Sequence, residues 1–146
     1  MNVLFDTNIL LDIVEKREPF HSASHRAAKY VLDEKITGFV TVQSLKDVFY
    51  FVGKLDKEKA FRTVEDFSLL LKEIGILPED SFTALMSNFS DYEDGLINAS
   101  AVRNGIDMIL TRDRYGFIES DLLIVAPEEL DKFLEPDVTS ENASFG

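Results

Sequence analysis

Short apolar runs alternate along this chain with longer stretches of helical periodicity. The apolar runs predict strands over residues 3–5, 39–42, 76–77, 108–111 and 122–125. The other stretches predict helices over residues 8–16, 19–34, 44–53, 57–72, 81–87, 90–103 and 127–134. Strands that alternate with helices build a parallel sheet that helices cover on both faces. The sequence therefore predicts an α/β fold, whose ligands bind at the carboxyl ends of the strands.

Local signals mark the ends and faces of several predicted helices. Ser44 is a candidate cap for the helix after the second strand. Ser90 and Glu93 fit a capping box, in which Glu93 has a structural role. In the first helix an apolar stripe faces the core, so we expect Asp12 to lie with Glu15 on the outer face.

Length and charge limit the classes of protein to consider. The 146 residues predict one domain over residues 1–134, followed by a polar and loose tail over 135–146. There is no cysteine, which excludes disulfides and thiolate metal sites. The net charge of −12, from 27 acids and 15 bases, argues against a long basic surface for nucleic acid. The sequence shows no signal peptide and no membrane-spanning run, so we expect a cytoplasmic protein.

Four aspartates occupy related places along the predicted elements. Asp6 ends the first strand, Asp47 lies one turn inside the helix after the second strand, and Asp113 lies two residues beyond the fourth strand. In a parallel sheet these three share the carboxyl edge. Asp94 lies in the first turn of a helix instead, and the fold decides whether it reaches that edge.

Clustered carboxylates need a counter-charge. Two of them repel by about 4 kcal/mol at a separation of about 4 Å and an effective dielectric of about 20. A divalent cation removes this cost, and carboxylate oxygens suit Mg²⁺ or Mn²⁺. Such a cation lowers the pKa of water and stabilises charge on a phosphoryl group. Taken one at a time, Asp47 and Asp113 could equally be helix caps or solvated residues. A functional role is favoured for Asp6, because a carboxylate at the end of a buried strand is costly, and for Asp94, because Glu93 already serves the capping box.

Four segments together resemble the motifs of the PIN-domain family. Residues 3–14, VLFDTNILLDIV, resemble its first strand and helix, where an apolar strand ends in Asp-Thr-Asn. Residues 42–48, VQSLKDV, resemble the second motif, in which Ser or Thr is followed by an acid. Residues 91–97, DYEDGLI, resemble the third motif, where an aspartate opens a helix. Residues 109–113, ILTRD, resemble the fourth motif, and the order and spacing match over about residues 2–130.

This resemblance implies a three-layer α/β/α fold with a mostly parallel five-stranded sheet. It implies a ribonuclease that uses Mg²⁺ or Mn²⁺ to hydrolyse RNA phosphodiester bonds, with single-stranded RNA as the expected substrate. Many small members are toxins of bacterial toxin–antitoxin pairs, so a homodimer and a small antitoxin protein are the expected partners. The candidate catalytic and metal-binding residues are Asp6, Asp47, Asp94 and Asp113.

Neighbours of the four aspartates are candidates for supporting roles. Thr7 and Asn8 either orient water or a phosphate at the site or cap the first helix. Thr111 is placed to donate a hydrogen bond to a site carboxylate. The basic residues nearest the acids in sequence are the candidate RNA contacts, namely Lys46, Arg112 and Arg114.

Two positions depart from the family pattern. Asp47 is one methylene shorter than the usual Glu, and Gly116 stands where another acid often precedes Phe. Both departures leave open a PIN-like scaffold that binds RNA or protein without catalysis. A phosphatase with Asp6 as its nucleophile is disfavoured, because haloacid-dehalogenase-like enzymes need a second aspartate at the position of Asn8.

Overall fold

The computed structural model describes residues 1–134, and the predicted tail over 135–146 lies outside the described residues. The strands are β1 (Asn2–Phe5), β2 (Thr37–Thr41), β3 (Lys72–Ile74), β4 (Met108–Leu110) and β5 (Leu123–Val125). The helices are α1 (Thr7–Val14), α2 (His21–Leu32), α3 (Val42–Gly53), α4 (Lys57–Leu70), α5 (Pro78–Leu85) and α6 (Tyr92–Arg103). Short 3₁₀ segments at Tyr115–Phe117 and Pro127–Phe133 lie on either side of β5. Within residues 1–134, no helix has both the length and the apolar character needed to cross a membrane.

The five strands form one sheet in the order β3-β2-β1-β4-β5, and every pairing is parallel. The chain builds outward from β1 to β3 and then returns to add β4 on the other side of β1. This reversal between β1 and β4 is the topological switch point, where a parallel sheet opens a crevice at its carboxyl edge. The prediction of an α/β/α fold with a parallel five-stranded sheet is confirmed.

The core lies on both faces of β1, because successive side chains of a strand point to opposite faces. Val3 and Phe5 are buried with apolar residues of α1, α2, α3 and α4 on one face. Leu4 is buried with Ile97 of α6 and with Phe117 on the other face. The central strand is therefore covered on both sides, and only its ends lead to the surface.

The third strand was predicted in the wrong place. The apolar pair at residues 76–77 favoured a strand there, but β3 is Lys72–Ile74 and ends before Gly75. Lys72 and Glu73 are exposed, and only Ile74 is buried. An edge strand is defined by its backbone hydrogen bonds to its neighbour, here β2, so it needs no apolar run.

Two helix caps also differ from the predicted ones. Thr41 rather than Ser44 caps α3, and its Oγ1 accepts a hydrogen bond from Ser44 N at 3.0 Å. Asp91 rather than Ser90 caps α6, and its carboxylate accepts from Asp94 N at 3.0 Å. In both helices the cap is the residue whose side-chain oxygen reaches the third N–H of the helix. The helices therefore begin with Ser44 and Asp94 inside their first turns.

Candidate active site

The carboxyl ends of the two central strands carry the first polar side chains of the site. Asp6 follows β1 and caps α1, and Thr111 follows β4. Asp6 N donates to the carbonyl oxygen of Leu110 at 3.0 Å, so the parallel ladder continues to the first residue of the site. Asp6 and Thr111 therefore stand side by side at the topological switch point.

Hydrogen bonds to both carboxylate oxygens of Asp6 hold it in a fixed orientation. Oδ1 accepts from Thr7 N at 2.9 Å, and Oδ2 accepts from Thr111 Oγ1 at 2.7 Å. Thr111 Oγ1 in turn accepts from Asp113 N at 3.0 Å. The hydroxyl group of Thr111 therefore links the carboxylate of Asp6 to the backbone of Asp113, although the two aspartates are far apart in the sequence.

Asp94 and Asp113 approach each other beside Gly116. A Cβ atom at Gly116 would lie 2.6 Å from Asp94 Oδ2 and 2.8 Å from Asp113 Oδ2. These two oxygens are therefore at most about 5.4 Å apart, which is the sum of the two distances. Gly116 N donates to the other oxygen of Asp113 at 3.1 Å. The absence of a side chain therefore lets both carboxylates approach the backbone of Gly116 more closely than a Cβ atom would permit.

Burial and the neighbouring negative charges raise the pKa of two of these aspartates. Burial raises the pKa of Asp94 to about 6, with further contributions from nearby carboxylates that include Asp6 and Asp113. Burial also raises the pKa of Asp6, as does Asp113, against the opposing effect of the hydrogen bond from Thr111. The negative charge of Asp113 therefore acts on the carboxylates of both Asp6 and Asp94.

Asp47 lies on α3, in the turn after Ser44. Its carboxylate pairs with Lys46 Nζ at 3.6 Å and is 42% exposed. Within residues 1–134, no hydrogen bond or ion pair joins it to the other three aspartates. Ser44, one turn earlier, contacts the site instead, since its Oγ accepts from Thr7 Oγ1 at 2.8 Å. Asn8 is partly exposed beside Thr7, and its side chain makes no hydrogen bond to the described residues.

The three candidate RNA contacts all pair with carboxylates. The side chains of Lys46 and Arg114 are at least half exposed, and such surface pairs are weak enough to exchange for another anion. Arg112 differs because its partner is Asp12, which is fully buried. The prediction that Asp12 lies on the outer face of α1 was wrong, and Arg112 is correspondingly held inward rather than free for RNA.

The oxygen ligands suit a hard divalent cation, although the side chains do not yet surround one. Within residues 1–134, no three Asp, Glu, His or Cys side chains are close enough together to hold a metal ion as they stand. Oxygen donors from carboxylates are nevertheless the ligands that Mg²⁺ and Mn²⁺ prefer. A cation bound between Asp94 and Asp113 would relieve the repulsion from neighbouring carboxylates that contributes to the raised pKa of Asp94.

Comparison with known proteins identifies the family of this chain. A family model described as PIN domain matches residues 2–115, a range that includes all four aspartates. The chain belongs to the PIN-domain family. The resemblance of its four motifs to those of PIN domains is therefore confirmed.

Known relatives of this PIN domain cover most of its length. Ribonuclease VapC1 of Aquifex aeolicus (strain VF5) is 29% identical over 132 residues, which are 87% of this chain and 91% of the relative. VapBC2 from Rickettsia felis, solved with a DNA fragment from its promoter, has a TM-score of 0.67 at 17% identity over 86% of this chain and 98% of that chain. A toxin–antitoxin complex from Klebsiella pneumoniae has a TM-score of 0.67 at 22% identity over 86% of this chain and 97% of that chain. These two structures share the fold of this PIN domain.

Three features of the site were not recognised in the sequence. Ser44 was predicted to be a cap, whereas its hydroxyl contacts Thr7. Gly116 stands out in the sequence only as a missing acid, whereas in the structure it lets two carboxylates approach its backbone. The pairing of Asp12 with Arg112 was missed, although a carboxylate inside the apolar run ILLDIV is a signal that a buried charge needs a partner.

Proposed function

We propose that this PIN domain is a divalent-metal-dependent endoribonuclease that hydrolyses phosphodiester bonds in single-stranded RNA. The observation that carries the proposal is the convergence of Asp6, Asp94 and Asp113 at the switch point of the sheet. The repulsion in such a cluster is costly unless a cation binds there. The relative from Aquifex aeolicus is named a ribonuclease, which supports RNA as the substrate class.

In this proposal Asp6, Asp94 and Asp113 hold Mg²⁺ or Mn²⁺, and Asp47 contributes directly or through water. The bound cation supplies an activated water molecule and stabilises the charge that develops on the phosphoryl group. The chain has no cysteine, and its histidines, at positions 21 and 25, lie on α2 outside the four motifs. The four motifs that carry the acids therefore contain no cysteine or histidine that could act as the nucleophile.

The residues around the acids orient them for this chemistry. Thr111 donates to Asp6 and accepts from the backbone of Asp113, so both acids keep their positions before a cation arrives. Thr7 joins α1 to α3 through Ser44 beside Asp6. Side chains with unused or weakly held donors would then contact the RNA phosphates, namely Asn8, Lys46 and Arg114.

We also propose that the protein is the toxin of a toxin–antitoxin pair, acts as a homodimer and is inhibited by a small antitoxin protein. Its fold is shared with proteins solved in toxin–antitoxin complexes. Expression of the wild-type chain should arrest bacterial growth, whereas expression of Asp6→Asn should not. Light scattering of the purified chain tests the homodimer.

A PIN-like scaffold that binds RNA or protein without catalysis is the second candidate. It is favoured by the pairing of the Asp47 carboxylate with Lys46 at the surface. The two candidates differ in their response to metal, because only the enzyme needs a cation to act on RNA.

The deciding experiment compares wild-type protein with Asp6→Asn on short single-stranded RNA, with Mn²⁺, with Mg²⁺ and with chelator. We expect metal-dependent cleavage by the wild type and none by the variant, because Asn replaces a charged ligand with a neutral one. The melting temperature of the metal-free variant should equal or exceed that of the wild type, because the substitution removes a buried charge that its neighbours repel.

The outcomes separate the candidates. Full activity in Asp6→Asn would remove Asp6 from the metal site. A large loss of stability in Asp6→Asn would indicate a structural role for its carboxylate. Wild-type protein that binds RNA but leaves it intact in every metal would favour the scaffold.

A further inference from the structure

The most buried acid of the domain lies outside the acidic cluster, in α1. Asp12 is completely buried, and it pairs with Arg112 through two parallel hydrogen bonds. Arg112 Nη2 donates to Oδ1 at 2.9 Å, and Arg112 Nε donates to Oδ2 at 2.9 Å. Ser24 of α2 adds a third hydrogen bond, to Oδ2 at 3.2 Å. A buried carboxylate requires this degree of pairing, so the geometry of the pair is tightly determined.

The guanidinium of Arg112 is also fixed from a second side. Its central carbon lies 3.9 Å from the centre of the Phe20 ring, a cation–π contact. The Arg112 side chain is 25% exposed. It reaches from the sheet edge to Asp12 of α1 and to Phe20, the residue before α2. The arginine is therefore held by a planar carboxylate and a planar ring, an arrangement that lysine cannot reproduce.

This ion pair is joined to the acidic cluster by the backbone. Arg112 stands between Thr111, whose hydroxyl donates to Asp6, and Asp113, whose N–H donates to that hydroxyl. No residue separates the anchored side chain from either of these two groups. Fixing the Arg112 side chain against α1 therefore fixes the segment that carries Thr111 and Asp113.

We propose that Arg112, anchored by Asp12, is a positioning residue that holds Thr111 and Asp113 in the arrangement that receives the divalent cation. The inference rests on the proposed metal-dependent function of the same site. Arg112 acts through Thr111 and Asp113 and is not a ligand or an RNA contact. Replacing a residue that orients a metal ligand without contacting the metal itself typically weakens metal affinity by about 10–100-fold.

The chain offers a matched control in a second ion pair of the same geometry. Arg103 Nε and Nη2 donate to the two oxygens of Asp80 at 3.0 and 2.9 Å, and the Asp80 side chain is 3% exposed. This pair joins α6 to α5. Arg103 is nine residues from Asp94 along α6, which places their backbones about 14 Å apart. Breaking it removes a bidentate pair without touching the segment at Thr111.

The experiment measures Mn²⁺ affinity by electron paramagnetic resonance, together with melting temperature in chelator. Arg112→Lys keeps the positive charge but loses the paired donors, and we expect Mn²⁺ binding to weaken by about tenfold or more. The double variant Asp12→Leu/Arg112→Met replaces the buried pair with apolar groups, a change that folded proteins tolerate. We expect it to stay folded and to bind Mn²⁺ as weakly as Arg112→Lys. Asp80→Asn should lower the melting temperature and leave Mn²⁺ affinity within about twofold.

The outcomes test the positioning role of Arg112 separately from the proposed metal-dependent function. Wild-type affinity in a folded Arg112→Lys or in the folded double variant would overturn the positioning role and leave the proposed function intact. Equal loss of affinity in Asp80→Asn would also overturn it, because general destabilisation would then explain the effect. A wild-type protein that binds no Mn²⁺ would overturn the proposed function and the positioning role together.

Discussion

A Cβ atom at Gly116 would stand 2.6 Å from Asp94 Oδ2 and 2.8 Å from Asp113 Oδ2, closer than real Cβ contacts allow. Other PIN domains often have an acid at this position. In this chain an acid at position 116 would need both carboxylates to move. The observed positions of Asp94 and Asp113 therefore depend on the glycine. The departure at Gly116 is therefore compatible with a cation site built from fewer protein ligands and more water.

Gly116→Ala should weaken Mn²⁺ binding by roughly tenfold, because the new methyl group occupies the space between the two carboxylates and turns them away. The melting temperature in chelator should change little, since both carboxylates are side chains that can rotate into solvent. Titration with Mn²⁺ measures the effect. Gly75→Ala is the control, because a Cβ atom there meets nothing within 4 Å. Unchanged Mn²⁺ affinity in Gly116→Ala would mean that the ion does not bind between Asp94 and Asp113.

The raised pKa of Asp94 predicts a pH-dependent loss of stability in the metal-free protein. Its pKa rises from 3.8 to about 6, so the folded state binds a proton more tightly than the unfolded state. The stability from Asp94 is therefore fully present below pH 3.8 and is lost as the pH rises through about 6. Asp94→Asn does not titrate, so its melting temperature in chelator should rise relative to that of the wild type as the pH increases from 3.8 to about 6, and the difference should then level off.

Melting curves of both proteins across that range measure the effect. Asp121→Asn is the control, because Asp121 is exposed at the amino end of β5, on the opposite edge of the sheet. The melting temperature of Asp121→Asn should stay close to that of the wild type. Addition of Mn²⁺ at neutral pH should reverse the Asp94→Asn advantage, because the cation stabilises only the protein that can bind it. A pH-independent advantage in chelator would contradict the proposed repulsion.

Among the secondary-structure elements, the buried strands could be predicted and the edge strand could not. β1 and β4 are buried on both faces, so their residues form continuous apolar runs that single out the strands directly. β3 has only Ile74 buried, and its pairing with β2 depends on residues more than thirty positions earlier. The sequence near residue 72 contains no local pattern that predicts this pairing with β2.

The same distinction between local and distant signals applies to the site. Asp6, Asp47 and Asp113 were predicted to share the carboxyl edge, and Thr111 was predicted to donate to a site carboxylate. The hydrogen bond from Thr111 to Asp6 confirms the second prediction, and both residues follow strands that the sequence predicts well. The approach of Asp94 to Asp113 depends on how α6 packs beside the 3₁₀ segment at Tyr115–Phe117, and no local pattern encodes that packing. Asp12 was misplaced because its partner, Arg112, lies 100 residues further along the chain.

At the scale of the whole molecule, a net charge of −12 must be reconciled with an anionic substrate. The bases nearest the four aspartates in sequence are already paired: Lys46 with Asp47, Arg112 with Asp12 and Arg114 with Glu129. Only the first and last of these pairs are exposed enough to exchange for phosphate at low cost. Under the proposed function, the protein therefore has few side-chain contacts for an RNA backbone, and the bound cation would supply much of the attraction.

Binding of single-stranded RNA by Asp6→Asn in chelator should therefore be weak and only slightly salt-dependent. Single strands lose affinity with a logarithmic slope of about −0.7 per neutralised phosphate, so two contacts, through Lys46 and Arg114, predict a slope near −1.4. Fluorescence anisotropy over a range of salt concentrations measures it. Lys46→Gln should make the slope shallower by about 0.7. Lys35→Gln should leave it unchanged, because Lys35 is exposed just before β2, at the opposite edge of the sheet. Tight binding with a steep slope in chelator would instead reveal a basic groove, formed by association of two chains, that a single chain does not show.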